Sequence, residues 1–241
     1  MGEKVILVYL VVCFFVFLAG FVDSIAGGGG LISLPAYMIA GLPVHTAIAT
    51  NKMSSFMGTS VATYHYMKKG FMKWKICIPA IFGAIAGSWM GSHLALLISD
   101  RVLKIAMVIV LPVILFYVLR SKALQGNDEN TTDAVNGMLI FKCILIAVVI
   151  GIYDGIYGPG TLNDAAGTTK AINLTTNITA LVVFLINGKV LLPLGIAAGC
   201  CNMAGNYLGS HSFTSNGHKI VKPVMIVVIV IFFIKVVTEL V

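Results

Sequence analysis

Long apolar stretches separated by short polar connections run through the whole chain. An apolar segment of about 18 residues or more can cross the hydrocarbon core of a bilayer as a helix. Such runs lie at 5–25, 45–66, 76–98, 102–119, 138–157, 171–187, 190–210 and 222–240. The second and the sixth carry more polar residues than the others. The pattern predicts an all-α integral membrane protein that crosses the membrane several times.

The first apolar run ends in an acid, Asp23, followed by four glycines at 27–30. This run is too long, and its end too irregular, for a cleaved signal peptide. Consecutive glycines do not sustain a regular helix, and unwound backbone at bilayer depth is tolerated only where protein or a wet cavity surrounds it. A second interruption has the same plan, with Asp154 ahead of Gly-Pro-Gly at 158–160. Each interruption therefore predicts a broken helix beside a functional site.

The second half of the chain repeats the first. Asp23 aligns with Asp154 at an offset of 131 residues, and from Lys52, which aligns with Lys170, the offset is 118. Such self-similarity predicts two homologous halves of about four helices each. We place the first transmembrane repeat at 1–120, a polar linker at 121–137 and the second transmembrane repeat at 138–241.

The change of offset leaves the second half 13 residues shorter, opposite residues 31–43 of the first half. In the first half this stretch is bracketed by glycines and prolines and is too short to span a bilayer. It predicts a re-entrant helix near the bilayer midplane, of the kind that lines transport sites. The second half carries a shortened counterpart.

Composition and charge agree with a bilayer environment. The chain is 59% apolar and 10% charged, with a mean hydropathy of +0.99, far outside the range of soluble domains. The net charge of +7 is scattered over short connections and forms no single basic face, so no nucleic-acid partner is expected. Because cytoplasmic loops are usually basic, two connections are predicted to face the cytoplasm. They contain Lys68, Lys69, Lys73 and Lys75, and Arg120 and Lys122.

Polar residues in two of the apolar runs carry the candidate chemistry. Asn51 precedes Lys52 in one run, and Lys170 is followed by Asn173 and Asn177 in the other. The last three lie at i, i+3 and i+7, on one face of a helix. A lysine at this depth needs a partner, and the acid of its own repeat is the candidate: Asp23 for the first lysine and Asp154 for the second.

These groups have two interpretations. The lysines and acids could be buried ion pairs that only stabilise the bundle. Alternatively, the lysines and amides could hold an anionic substrate, with backbone N–H groups at the glycine breaks and the positive ends of half-helices adding to the field. We favour the second interpretation, because ion pairs alone would not require glycine-broken backbone beside them.

Other motifs predict packing or nothing specific. Small residues four apart allow helix backbones to approach closely in a bilayer, and they are Gly83, Gly87 and Gly91, with Gly195, Gly199, Gly205 and Gly209. His93 and His211 end two Gly-Ser-His tripeptides; proton transfer is open to them, but their place at predicted helix ends favours an interfacial role. The cysteines lack metal-ligand spacing, and no phosphate-binding loop or hydrolase motif occurs. We expect no enzyme activity, no cofactor and no metal.

Both interrupted segments resemble the sulfite exporter TauE/SafE family of membrane transporters. The resemblance rests on Asp-Ser-Ile-x-Gly-Gly-Gly-Gly-Leu-Ile-x-x-Pro and Ala-Thr-Asn-Lys in one half, and on Tyr-Asp-Gly-x-x-Gly-Pro-Gly-Thr and Thr-Lys-x-x-Asn-x-x-x-Asn in the other. It covers nearly the whole chain; the shortened second re-entrant segment is the departure. It implies a multi-pass cell-membrane protein that exports sulfite, sulfonates or other small organic anions, driven by the membrane potential or a proton gradient.

The predicted substrate site lies between the two halves. The predicted partners of the protein are a small anionic substrate and the lipid bilayer, and a homo-oligomer is compatible with the sequence. The alternative function is a membrane scaffold or sensor that has lost the pathway. The predicted substrate-binding residues are Asp23, Gly28, Gly29, Asn51, Lys52, Asp154, Gly158, Gly160, Lys170, Asn173 and Asn177.

Overall fold

A computed structural model describes residues 2–107, 109–110, 137–157 and 166–211, with isolated positions between 223 and 238. The regular structure in these ranges is helical, as predicted. The helices are α1 Gly2–Ala26, α2 Gly30–Ile39, α3 Val44–Lys68, α4 Trp74–Leu97, α5 Gly137–Tyr157, α6 Ala166–Ile186 and α7 Leu192–His211. A further helical segment covers 100–107. The predicted runs at 102–119 and 222–240 lie largely outside the described residues.

Several of these helices are long and apolar enough to cross a membrane. Among the described residues they number four: Gly2–Ile25, Trp74–Leu97, Ile140–Tyr157 and Gly167–Ile186. Helices α3 and α7 are of similar length, but their interiors carry asparagines, hydroxyl groups and, in α3, a lysine. Since polar side chains in a membrane bundle face its interior, the buried polar faces of α3 and α7 are expected to point away from lipid.

The glycine run interrupts the helix between α1 and α2, as predicted. Gly27 and Gly28 both have φ of 76°, a left-handed conformation that glycine adopts at little cost. Helix α2 then runs for ten residues with nearly all of its side chains buried. Gly41 (φ 88°) and Pro43 make the turn into α3. The first half thus contains a short internal helix held between two longer ones.

The extensive helix contacts join early helices to late ones: α1 packs against α7, and α4 packs against α5. Glycines line both contacts, which confirms the predicted packing faces. A Cβ on Gly83 would lie 2.7 Å from the carbonyl oxygen of Ile144, and one on Gly209 would lie 2.6 Å from that of Phe21. Because no side chain larger than hydrogen fits there, the backbones are in direct contact.

Helix α3 contacts helices from both ends of the chain. It packs against both α6 and α7. Near its end the Tyr66 hydroxyl donates to the Ser24 carbonyl (2.7 Å), and Thr63 Oγ1 donates to the Lys170 carbonyl (3.1 Å). Near its start Thr50 Oγ1 accepts a hydrogen bond from the backbone N–H of Leu191 (3.1 Å). These bonds fix the positions of the end of α1, the start of α6 and the residue before α7 along α3.

Candidate functional site

Among the described residues, four charged side chains are buried inside the bundle. The exposed fractions are 0% for Lys52, 4% for Lys170, 7% for Asp23 and 1% for Asp154. Helix α3 carries the first lysine and α6 the second, while the two acids lie in the last turns of α1 and α5. An uncompensated charge in such surroundings is costly, so the lysines must be paired.

Each lysine pairs with the acid of the other half of the chain. Lys52 Nζ lies 3.0 Å from Asp154 Oδ2, and Lys170 Nζ lies 2.8 Å from Asp23 Oδ2. The prediction that each lysine pairs with the acid of its own half was therefore wrong. The ion pairs themselves were expected, but their partners are exchanged.

The contacts along α3 explain the exchange. Tyr66 holds the end of α1 and Thr63 holds the start of α6, so the Asp23 and Lys170 backbones meet beside the C-terminal part of α3. Lys52 lies eleven residues before Thr63, about 16 Å away along the helix axis at a rise of 1.5 Å per residue. A lysine side chain does not cover that distance. Lys52 instead meets the end of α5.

The Lys170–Asp23 pair is tied to the broken backbone of α1. Besides the carboxylate, the Lys170 ammonium donates to the carbonyl oxygen of Asp23, at the end of the helix. The second carboxylate oxygen, Asp23 Oδ1, accepts the backbone N–H of Gly29 at 3.2 Å. A Cβ on Gly29 would lie 2.5 Å from Asp23 Cβ and 2.6 Å from the Ala19 carbonyl, so this close turn needs glycine. The Gly29 N–H, expected to be open to a substrate, is thus bound to Asp23.

The Lys52–Asp154 pair lies among amide side chains. Lys52 Nζ also donates to Asn177 Oδ1 at 3.2 Å, so the ammonium bridges α5 and α6. The neighbouring Asn51 is fully buried, and its Oδ1 accepts a long hydrogen bond of 3.5 Å from Ser55 Oγ. Its Nδ2 has no hydrogen-bond partner within the described ranges. A buried N–H donor of this kind is unfavourable unless a ligand or water accepts from it.

Two matching polar stripes carry these groups. Lys170, Asn173 and Asn177 lie at i, i+3 and i+7 on α6, and all are buried. Lys52, Ser55 and Thr59 have the same spacing on α3 and are also buried, with Ser55 at 9%. The structure thus places the predicted residues of α3 and α6 along one interior seam. The Lys170 carbonyl beside Thr63 and Asn177 beside Lys52 show that the two helices run antiparallel.

The remaining predicted site residues are the glycines at positions 28, 158 and 160, of which the structure describes the first. Gly28 is buried at the break, where its positive φ permits the turn. Gly158 and Gly160 lie outside the described residues.

Sequence reasoning missed a second polar cluster on α7. Asn206 Nδ2 donates to Asn202 Oδ1 at 2.6 Å, and both residues are buried. A Cβ on Gly20 would lie 2.7 Å from Asn202 Oδ1, so α1 also packs directly on this cluster. Two asparagines four residues apart in an apolar helix were the available signal, because such residues must face the interior.

His93, His211 and a cavity between α4 and α6 are further features of the described residues. His93 is partly exposed and His211 is exposed, and each makes a hydrogen bond with the carbonyl of the residue four before it, Trp89 and Tyr207 respectively. A cavity of about 350 Å³ opens between α4 and α6, with a mainly apolar lining that includes exposed Trp89 and Ile186. It does not reach the charged residues, so it is not the site that the buried lysines define.

Comparison with known proteins gives one consistent family. The profile of the family described as Sulfite exporter TauE/SafE matches residues 12–236. The chain is similar to the "Probable membrane transporter protein ORF9" of Sinorhizobium sp., with 32% identity over 92% of this chain and 90% of that protein. It is 30% identical to the "Probable membrane transporter protein YfcA" of Escherichia coli K12, over 90% of this chain and 85% of the relative.

A "Probable membrane transporter protein" of Haemophilus influenzae is 27% identical over 88% of this chain and 87% of the relative. No solved structure matches the chain significantly.

Proposed function

Because the chain belongs to the sulfite exporter TauE/SafE family of multi-pass membrane transporters, we propose that it exports sulfite, sulfonates or related small organic anions. Membership of the family makes transport, and not catalysis, the activity to be explained.

The observation that carries the proposal is the pair of lysines buried in the bundle interior. Cationic groups recognise a sulfur oxyanion by charge, and amide N–H donors supply directional hydrogen bonds to its oxygens. The Lys52 ammonium is in contact with the Asn177 side chain, and the amide N–H of the preceding residue, Asn51, has no hydrogen-bond partner within the described residues. Buried charges that only stabilise a bundle are often replaceable by apolar residues, so their presence favours a functional role.

We extend the proposal to the architecture. Residues 1–120 and 138–241 are taken as two related halves joined by the linker at 121–137, with the short helix α2 as a re-entrant segment. Equivalent positions make equivalent contacts, which supports this division. At the two offsets, Gly20 is equivalent to Gly151 (131 residues later) and Ala84 to Asn202 (118 residues later). A Cβ on Gly151 would lie 2.9 Å from the Ala84 carbonyl oxygen, and a Cβ on Gly20 would lie 2.5 Å from the Asn202 carbonyl oxygen.

Flux measurements in proteoliposomes test the proposed substrate and site. Vesicles with purified protein should move sulfite or a sulfonate faster than empty vesicles. Lys52→Ala and Lys170→Ala should each reduce this flux at least tenfold, because each removes a cation from the interior. Lys189→Ala is the matched control, since Lys189 is exposed in the turn between α6 and α7. Unchanged flux in both interior variants would rule these lysines out as binding residues.

A scaffold or sensor without transport is the second candidate. It is favoured by one observation: both lysines already have carboxylate partners, as purely structural ion pairs would. A ligand that binds the folded state raises its thermal stability, so a rise in melting temperature with sulfite or sulfonate supports a binding site. No rise with any small anion, together with a partner protein that copurifies stably, supports the scaffold.

A further inference from the structure

The ring of His45, at the start of α3, lies between two hydrogen-bond acceptors. Its Nδ1 contacts the carboxylate of Asp100, the first residue of the helical segment 100–107. Its Nε2 lies 2.8 Å from the carbonyl oxygen of Ala95, near the end of α4. The imidazole thus connects the turn from α2 into α3 with the end of α4 and with the segment that follows it.

These two partners determine how many protons the ring of His45 carries. A backbone carbonyl oxygen only accepts hydrogen bonds, and so does an ionised carboxylate. Neutral imidazole has one N–H group, so either neutral tautomer satisfies one acceptor and turns a nitrogen lone pair towards the other. The imidazolium form has two N–H groups and satisfies both. Because imidazole is more basic than a carboxylate, the second proton belongs to the histidine and not to the aspartate.

His93 and His211 have a different environment. The hydrogen bond described for each joins Nδ1 to one carbonyl of the preceding turn, that of Trp89 or Tyr207. A neutral histidine that carries its proton on Nδ1 makes such a bond as well as a charged one does. Contacts with acceptors through both ring nitrogens therefore distinguish His45 from these two histidines.

Near the contact between His45 and Asp100, the other charged groups that the structure describes are basic. Arg101 and Lys104 follow the aspartate on the same segment. Lys189 is exposed in the turn between α6 and α7, which bonds to the start of α3. Titratable side chains are absent from the stretches that flank the ring and its partners, at 40–44, 46–50 and 94–99. Since histidine is the side chain that normally changes charge between about pH 5 and pH 8, the ring makes this contact sensitive to pH in that interval.

The contact lies at one end of the bundle. The basic connection that contains Lys69 joins the end of α3 to the start of α4. The start of α3 and the end of α4 therefore lie at the opposite face, which is expected to be the outer one because basic connections are usually cytoplasmic. His45 lies seven residues before Lys52, about 10 Å along the axis of α3. The contact thus holds the part of α3 that leads to the buried lysine.

From these contacts we propose that His45 is a pH-sensitive latch: its imidazolium ties the start of α3 to the end of α4 in acidic surroundings, and the loss of one ring proton to water opens one of the two ties. The nitrogen that loses the proton then presents a lone pair to an acceptor oxygen, and their repulsion favours movement of the ring away from it. The contribution of the latch to stability is therefore present on the acidic side and falls as the pH rises.

Thermal unfolding of the purified protein in detergent, at about pH 5 and at about pH 8, tests the latch. His45→Gln removes the titrating ring. It should lower the melting temperature by about 2–4 °C at the lower pH, the size expected for a pair whose side chains are 17% and 44% exposed. At the higher pH it should melt within about 1 °C of the unaltered protein. His93→Gln is the matched control and should have the same effect at both pH values, because the ring of His93 contacts one carbonyl.

Asp100→Asn separates the proton from a simple loss of contact. An asparagine side chain both donates and accepts hydrogen bonds. Its amide group can donate to Nδ1 of a neutral imidazole while Nε2–H donates to the Ala95 carbonyl, so both ties form without the second proton. The variant should therefore melt about 2–4 °C above the unaltered protein at the higher pH, and no higher than it at the lower pH. Backbone amides in the first turns of α3 should also exchange with solvent more slowly in this variant at the higher pH.

The two variants make the latch falsifiable. An equal effect of His45→Gln at both pH values would overturn it, and so would a lower melting temperature of Asp100→Asn at the higher pH. These measurements involve no transported anion. Failure of the latch therefore leaves the proposed substrate standing, and failure of the proposed substrate leaves the latch standing.

Discussion

The pairing of each buried lysine with the acid of the other half of the chain allows a quantitative prediction about the stability of the protein. Asp23→Asn removes one partner of the Lys170–Asp23 pair, whose side chains are 5% and 10% exposed, so solvent screens the remaining lysine very little. Breaking a buried pair in this way costs about 3–5 kcal/mol. At about 2–4 °C of melting temperature per kcal/mol for a chain of this size, the expected fall is about 6–20 °C.

A double-mutant cycle identifies which lysine is the partner of Asp23. Lys170→Met, added to Asp23→Asn, removes the stranded ammonium and should recover more than half of the lost stability. Lys52→Met lies on the other ion pair, so its effect should add to that of Asp23→Asn within about 0.5 kcal/mol, as distant sites do. The assay is thermal unfolding in detergent, followed by intrinsic fluorescence.

The opposite pattern would refute the described pairing. If Lys52→Met, and not Lys170→Met, restores the stability of Asp23→Asn, each lysine pairs within its own half of the chain. Additivity in both combinations would mean that neither lysine is coupled to Asp23.

The remaining predictions concern packing, the helix break and orientation. Gly87→Leu forces a side chain against the Val148 backbone and should destabilise the protein by about 1–3 kcal/mol or more. The control is Ala86→Leu on the exposed side of the same helix, whose melting temperature should stay within about 2 °C of that of the unaltered protein, because surface changes cost little. Equal melting temperatures for the two variants would contradict the α4–α5 contact. Gly29→Ala places a Cβ 2.5 Å from Asp23 Cβ and should lower both melting temperature and flux, in contrast to Gly137→Ala, where nothing lies within 4 Å; wild-type behaviour of Gly29→Ala would argue against the close turn. A cysteine introduced at Lys69 should react with a membrane-impermeant reagent only from the cytoplasmic side, because basic loops stay inside, and labelling of intact cells from outside would reverse the orientation.

The sequence alone was sufficient for the described helices and for the break between α1 and α2. An apolar run long enough to span a bilayer must satisfy its backbone hydrogen bonds internally, which favours a helix. Gly27 and Gly28 permit the positive φ values that end one helix before the next begins. Glycines at intervals of four predicted the packing face of α4 for a similarly local reason. Burial of Lys52 and Lys170 also followed from sequence, since polar residues in an apolar helix turn away from lipid.

The partners of those residues were decided only by the tertiary structure. A lysine and an acid attract each other equally well within one half or between halves, so residue type does not choose the pair. The choice depends on where α1 and α6 meet α3 along its axis, which the hydrogen bonds from Tyr66 to Ser24 and from Thr63 to Lys170 establish. These bonds join residues that are 42 and 107 positions apart, and no local pattern in the chain encodes such separations.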